Sequence, residues 1–212
     1  MNDSLFSWSH RHEVLNTLTH GLGTVLSVAG GALLLVKVRE ARSIQLAACA
    51  VYAACLIAVY AASTLSHLFL RERWRRRFRI LDQGCIYLLI AATFTPFAVA
   101  TFYGAWWILL AVVWGTALFG FWRKIAHAHE IDRASVVLPL MIGWAPVLSF
   151  SHLVASLPPG AVAWIVGGGL CYSFGVIALL LDRRWHYMHA AWHLFVIAGS
   201  AVHYVAVYRY AT

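Results

Sequence analysis

Long uncharged, apolar stretches alternate along the chain with short clusters of basic residues. Seven of these stretches are close to or above the ~20 residues that an α-helix needs to cross the hydrocarbon core of a bilayer. They lie at residues 14–36, 44–70, 80–101, 104–122, 134–153, 160–181 and 188–209. The pattern therefore predicts an all-α integral membrane protein with seven transmembrane helices.

The segments between the predicted spans are short and contain basic residues or turn formers. The arginine-rich segment 71–79 is predicted to be a loop, and Pro158, Pro159 and Gly160 mark a break before the sixth span. Because the links leave no room for a second folded unit, we expect a single transmembrane domain over residues 1–212. The polar first twelve residues precede no clear cleavage site, so we expect the N-terminus to be retained.

Lysine and arginine are distributed unequally between the two sides of this predicted domain. The side of the N-terminus collects twelve of them, whereas the other side collects only Lys37, Arg39, Arg42 and Arg209. Cytoplasmic loops of multi-pass proteins carry the excess of basic residues. The sequence predicts a cytoplasmic N-terminus and, for an odd number of spans, an external C-terminus; an even number would reverse the second conclusion.

The composition agrees with a membrane protein. Hydrophobic residues make up 62% of the chain and charged residues 11%, whereas an ordinary soluble domain has about 25% charged residues. The formal net charge is +8, but the arginines punctuate apolar spans and form no basic domain of their own. We therefore expect a location in the cell membrane, with membrane lipids as partners and no binding of nucleic acid.

Few strongly polar side chains fall inside the predicted spans, and such residues mark function by default. Most of them lie near the predicted cytoplasmic ends of the first, second, third and seventh spans. They are Glu13, Asn16, His20, Ser63, His67, Asp82, His189 and His193. Because the four ends lie on the same side of the membrane, these residues can share one site.

Three histidines in this set suit a metal ion. His189 and His193 are four residues apart, so their rings project from one face of a helix, and His67 adds a third ring at the same depth. Three imidazoles are the ligand set of a catalytic zinc site, which leaves the fourth position to water. Asp82 is then placed to act as general base, and Ser63 to orient a ligand or to bond a substrate carbonyl.

Simpler explanations exist for several polar residues. A single histidine near a helix end is more often an interfacial residue than a ligand. Glu13 and Asn16 fall in the first turn of the predicted first helix, where capping explains them equally well, whereas His20 is too deep for that. Four residues share a cytoplasmic loop and are expected to be solvated: His127, His129, Glu130 and Asp132. Two lie near the external boundary, too far from the cluster to join it: His152 and His203.

The polar residues also form spaced motifs that resemble those of the bacterial haemolysin III proteins, within the progestin and adipoQ receptor family. The motifs are Glu13-x-x-Asn16-x-x-x-His20, Ser63-x-x-x-His67 followed by Asp82, and His189-x-x-x-His193. The segment 86–96 is similar to the family's third helix, and the resemblance covers nearly the whole chain. It departs from the family at Ser66, where tyrosine is usual, and at Gln83, where histidine is frequent.

The resemblance implies a zinc ion held by His67, His189 and His193, with Asp82 in contact with water at the metal. It implies seven helices with a cytoplasmic N-terminus, and it links the chain to membrane-lipid homeostasis and to membrane hydrolases that include alkaline ceramidases. We therefore expect zinc-dependent hydrolysis of a lipid amide or ester that enters from the bilayer. Two alternatives stay open: a non-enzymatic sensor or receptor with a structural zinc, and a pore-forming cytolytic protein with polar residues across the membrane.

Overall fold

The computed structural model describes residues 3–101, 103–104, 106–127, 137–145, 150–182, 184–185 and 187–212. In these ranges the chain is helical and contains no strand, which confirms the all-α prediction. The helices are α1 (Asp3–Val38), α2 (Ser43–Leu68), α3 (Glu72–Thr101), α4 (Trp106–Ala126), α5 (Val137–Gly143), α6 (Phe150–Ser156), α7 (Pro159–Leu181) and α8 (Met188–Tyr210).

Six of the described helices are long and apolar enough to cross a membrane. The segments that meet this condition are His12–Val38, Ser43–Leu68, Glu72–Thr101, Trp107–Ala126, Pro159–Leu181 and Met188–Tyr210. The mean hydropathy of their most apolar windows lies between 1.5 and 2.0. The chain is therefore a multi-pass membrane protein.

The predicted fifth span, residues 134–153, overlaps the two short helices α5 and α6. Each has seven residues, well below the ~20 that a membrane-spanning helix needs. Residues 128–136 and 146–149 lie outside the described part of the chain. The fifth span, the total of seven and the orientation of the termini therefore stay predictions.

The arginine-rich segment 71–79 is helical from residue 72 onward, and its prediction as a loop is wrong. Helix α3 begins at Glu72, eight residues before the predicted start of the third span. Arginine is a good helix former, and no glycine or proline interrupts the segment. Long arginine side chains also reach polar surroundings from a helix end, so the charges do not end the helix.

The first helix likewise begins earlier than the sequence indicates. Helix α1 starts at Asp3, so Glu13 and Asn16 lie well inside it and not in its first turn. Free N–H groups are confined to the first turn of a helix. The capping explanation for these two residues is therefore wrong, and their role is explained by contacts with other helices.

Consecutive helices α1 to α4 pack side by side, α7 packs against α8, and α8 returns to α1. The core between α1, α2 and α8 is built on fully buried side chains such as Leu34, Tyr52 and Val207. Large apolar side chains such as Leu18 and Val25 of α1 are mostly exposed, as expected of a surface that faces lipid. This arrangement brings the beginnings of α1, α3 and α8 and the end of α2 together.

Candidate metal centre

Three histidine rings meet where these helix ends come together. His67 lies at the end of α2, His189 at the start of α8, and His193 one turn later. Their ring centroids are 4.7 to 5.3 Å apart, and one ring nitrogen of each lies within 4.8 Å of the others. His193 is only 1% exposed. The three histidines predicted from spacing are thus close enough to hold one metal ion.

Each ring uses its Nδ1 atom for a partner outside the trio. His67 Nδ1 is 2.7 Å from Glu13 Oε2, and His189 Nδ1 is 3.3 Å from Asp182 Oδ2. An ionised carboxylate only accepts hydrogen bonds, so both Nδ1 atoms are donors. The neutral rings then carry no proton on Nε2, which leaves that atom free to act as a ligand.

His193 also carries its ring proton on Nδ1, because this atom faces a hydroxyl group. Its Nδ1 is 3.2 Å from Thr19 Oγ1, and the Thr19 hydroxyl lies 3.0 Å from the carbonyl oxygens of Leu15 and Asn16. Because the single hydroxyl hydrogen is donated to these carbonyls, the Thr19 oxygen accepts from His193. Histidine ligands of metals typically donate their second ring nitrogen in this way.

The donor set fits zinc. Three neutral imidazoles are a recurrent zinc ligand set, and tetrahedral geometry with bonds of about 2.0–2.1 Å separates ligand nitrogens by about 3.4 Å. The three rings lie slightly farther apart than this, so a bound ion would draw them together. The fourth tetrahedral position has no protein ligand among these residues.

Asp82 and Ser63 lie beside the histidines. The Asp82 carboxylate, on the third turn of α3, faces Ser63 and His67 of α2. Ser63 is 1% exposed, and its hydroxyl group lies beside the Asp82 carboxylate. Both residues therefore border the trio.

The remaining predicted residues also reach the site. Glu13 contacts His67, as described, and Asn16 is buried one turn farther along α1. The His20 ring stacks on the His193 ring at a centroid distance of 3.7 Å, and neither of its nitrogens has a hydrogen-bond partner. The edge of the Tyr60 ring packs against His20. The structure thus places the whole predicted set in one cluster.

The two residues that depart from the family pattern, Ser66 and Gln83, make side-chain contacts outside the histidine trio. The Ser66 hydroxyl donates to the Ser63 carbonyl of its own helix over 2.9 Å. Gln83 accepts a hydrogen bond of 3.1 Å from Lys124 of α4. Neither side chain takes the place of a ligand in the trio.

Sequence reasoning missed three residues of the centre: Thr19, Asp182 and Arg75, whose guanidinium donates to the Glu13 carboxylate. Thr19 has no motif signal of its own, and Arg75 is one of many arginines in its segment. Asp182 was part of a predicted link, although an acidic residue seven positions before His189 was a usable signal. All three act through contacts between helices, which spacing along one helix does not reveal.

A largely apolar cavity adjoins the centre. Its volume is about 160 Å³. His20 and Asp82 contribute to its wall beside the trio, and apolar side chains such as Leu89 and Val196 continue it. His203 also lines it but lies ten residues beyond His193, about 15 Å along α8.

The other histidines make separate contacts. A ring nitrogen of His152 lies 3.3 Å from the Thr101 carbonyl oxygen, and one of His203 lies 2.9 Å from that of Ile165. His127 follows α4, with its Nδ1 3.3 Å from the Arg123 carbonyl oxygen. The predicted loop residues His129, Glu130 and Asp132 lie outside the described part of the chain.

The chain is similar to known proteins over most of its length. A family model described as Haemolysin-III related matches residues 8–204. Hemolysin-3 of Bacillus cereus is 33% identical over 202 residues, which cover 94% of this chain and 92% of that protein. The Hemolysin-3 homolog of Bacillus subtilis is 30% identical over 202 residues, 94% of each chain.

A more distant relative is a human protein. The Monocyte to macrophage differentiation factor of Homo sapiens is 27% identical over 171 residues, which cover 76% of this chain and 68% of that protein. The family-model match and the two bacterial relatives extend over nearly the whole chain, including all the residues of the candidate centre. This chain therefore belongs to the Haemolysin-III related family.

Proposed function

We propose that this protein is a zinc-dependent membrane hydrolase that cleaves an amide or ester bond of a lipid and thereby contributes to membrane-lipid homeostasis. The observation that carries the proposal is that three histidines close enough to share a metal ion lie next to Asp82 and His20, which line the adjoining apolar cavity. A zinc ion bound by His67, His189 and His193 would supply Lewis acidity toward a carbonyl oxygen and toward water.

Asp82 is the residue proposed to move the proton. Its carboxylate lies in the cavity wall and faces His67, so a water molecule between the cavity and the trio is within its reach. As general base it would take a proton from that water and return it to the leaving amine or alcohol. Ser63, whose hydroxyl group lies beside Asp82, would donate to the substrate carbonyl.

The cavity supports a lipid as the substrate. Its wall is formed mainly by aliphatic and aromatic side chains of several helices, for example Ile86, Leu89, Phe97 and Val196. Such a wall binds a hydrocarbon chain and excludes water, which strengthens the electrostatic interactions at its polar end. A lipid bound there would have its head at Asp82 and its chain among the apolar side chains.

The test compares wild type with Asp82→Asn, each checked for equal zinc content. Asparagine has a similar shape but does not act as a base, so we expect the rate to fall about 10²–10⁴-fold. Both proteins are incubated with ceramide-like lipids and with phospholipids, and released fatty acid is measured. Wild type with full zinc that releases no fatty acid from any lipid class would contradict the proposal.

A sensor or receptor with a structural zinc is the second candidate. It is favoured by the number of helices that the centre connects: the ligands come from α2 and α8, and their partners Glu13, Thr19 and Asp182 from α1 and the end of α7. An ion there would hold these helices together without catalysis. An Asp82→Asn variant that disturbs membrane homeostasis in cells, combined with a wild type that releases no fatty acid, would favour this candidate.

The pore alternative gains no similar support from the described residues. Ser200 and His203 continue the face of the α8 histidines, as a polar pathway would require. However, the Ser200 hydroxyl bonds the Tyr172 hydroxyl at 2.7 Å, and His203 contacts the carbonyl group of Ile165. Both are engaged in contacts between α7 and α8.

A further inference from the structure

Glu13 connects three helices through its two carboxylate oxygens. Oε2 is 2.7 Å from Nδ1 of His67 on α2, and Oε1 accepts a hydrogen bond from the Arg75 guanidinium on α3. All three side chains are largely buried, with exposed fractions of 20% for Glu13, 8% for His67 and 26% for Arg75. A carboxylate in this position is not explained by solvation or by capping.

We propose that Glu13, held in place by Arg75, is a positioning residue that sets the tautomer of His67 for metal binding. The proposal rests on the zinc site of the proposed function. It assigns to Glu13 a role that acts through His67, without contact between Glu13 and the metal.

The chemical argument is one of donors and acceptors. Arginine offers only donors and a carboxylate only acceptors, so Glu13 accepts from Arg75 with one oxygen and from His67 with the other. Accepting from His67 requires the proton on Nδ1, which leaves Nε2 bare. A bare Nε2 is the form that binds a metal ion.

Glutamine at this position would reverse the tautomer while keeping the shape. Its single oxygen would accept from Arg75, so its NH₂ group would face His67 and donate to Nδ1. The ring proton would then move to Nε2, which is the atom needed as a ligand. Glu13→Gln therefore removes the electronic role of Glu13 with a small change in volume.

Arg75 has a second effect through its own helix. Asp82 follows Arg75 by seven residues, which is two helical turns, so both lie on the same face of α3. The Glu13 contact thus fixes that face of α3 against α1 and α2 and holds Asp82 near His67. Loss of Arg75 would loosen this arrangement but would leave a carboxylate to accept from His67.

The experiment measures zinc affinity of the purified full-length protein by competition with a chromophoric chelator, and thermal unfolding of the metal-free protein. Replacing the hydrogen-bond partner of a histidine ligand typically costs about 10–100-fold in metal affinity, and we expect this loss for Glu13→Gln. The matched control is Glu40→Gln, because Glu40 is exposed and its ion pair in the described part of the chain is with the exposed Arg39, at 3.1 Å. We expect the control to bind zinc like wild type.

Two further variants separate positioning from a purely structural ion pair. Arg75→Met breaks the same pair from the other side but keeps the carboxylate, so we expect a smaller loss of zinc affinity than for Glu13→Gln. In a His67→Ala background the ring is absent, so Glu13→Gln should cause no further loss. If Glu13→Gln alone folds poorly, the comparison within the His67→Ala background still separates the two roles.

Four results would overturn the proposal. Zinc affinity of Glu13→Gln within twofold of wild type would overturn it and leave the proposed function standing. Equal losses for Arg75→Met and Glu13→Gln, or an undiminished loss in the His67→Ala background, would show that the ion pair acts only on the fold. A wild type that binds no zinc would overturn both the positioning role and the proposed function.

Discussion

At the scale of single residues, spacing along one helix predicted the candidate ligands, and contacts between helices decided the rest. His189 and His193 had to share a face because they are four residues apart, and their ring centroids are 4.7 Å apart in the structure. The contacts of Thr19 with His193 and of Glu13 with His67 depend on how α1 packs against α8 and α2. The spacing of residues along one helix does not indicate which residues of a neighbouring helix they contact.

A glycine of α1 leaves room for the Tyr60 ring beside His20. A Cβ atom at Gly23 of α1 would lie 2.5 Å from the Tyr60 ring, and Tyr60 packs against His20. We expect Gly23→Ala to displace Tyr60 and to lower the free energy of unfolding by about 1–3 kcal/mol, the usual cost of overpacking. Thermal unfolding in detergent measures the change.

The control for this prediction is Gly115→Ala. A Cβ atom at Gly115 of α4 meets nothing within 4 Å. Alanine is the better helix former by up to about 1 kcal/mol, so we expect unchanged or slightly increased stability. A Gly23→Ala variant as stable as the control would show that the close approach of Tyr60 to α1 does not affect the free energy of unfolding.

At the scale of helices, the sequence predicted boundaries well where proline, glycine or a change in charge marks them. Helices α7 (Pro159–Leu181) and α8 (Met188–Tyr210) begin and end within one residue of the predicted spans 160–181 and 188–209. The start of α3 was wrong because charge was taken as the sign of a loop. Hydropathy reports the depth of a segment in the membrane, whereas the backbone follows helix propensity, and arginine favours the helix.

At the scale of the whole molecule, the asymmetry of basic residues predicts which side of the membrane holds the metal centre. The centre lies toward the N-terminal end of α1, and the predicted seven-span arrangement puts twelve of the sixteen lysine and arginine residues on that side of the membrane. We expect that side to be cytoplasmic and the C-terminus to be external. Reporter fusions after Thr212 test this, and a fusion active only in the cytoplasm would contradict the orientation.

Metal analysis of the purified protein tests the proposal that one zinc ion links α2 to α8 through His67, His189 and His193. We expect about one zinc per chain in wild type, and less zinc and lower thermal stability after alanine replacement of His67, His189 or His193, because the two remaining ligands hold the ion less firmly. His127→Ala, outside the centre, should keep its zinc. Full zinc content in all three variants would contradict the account and would direct the search to His127 and His129.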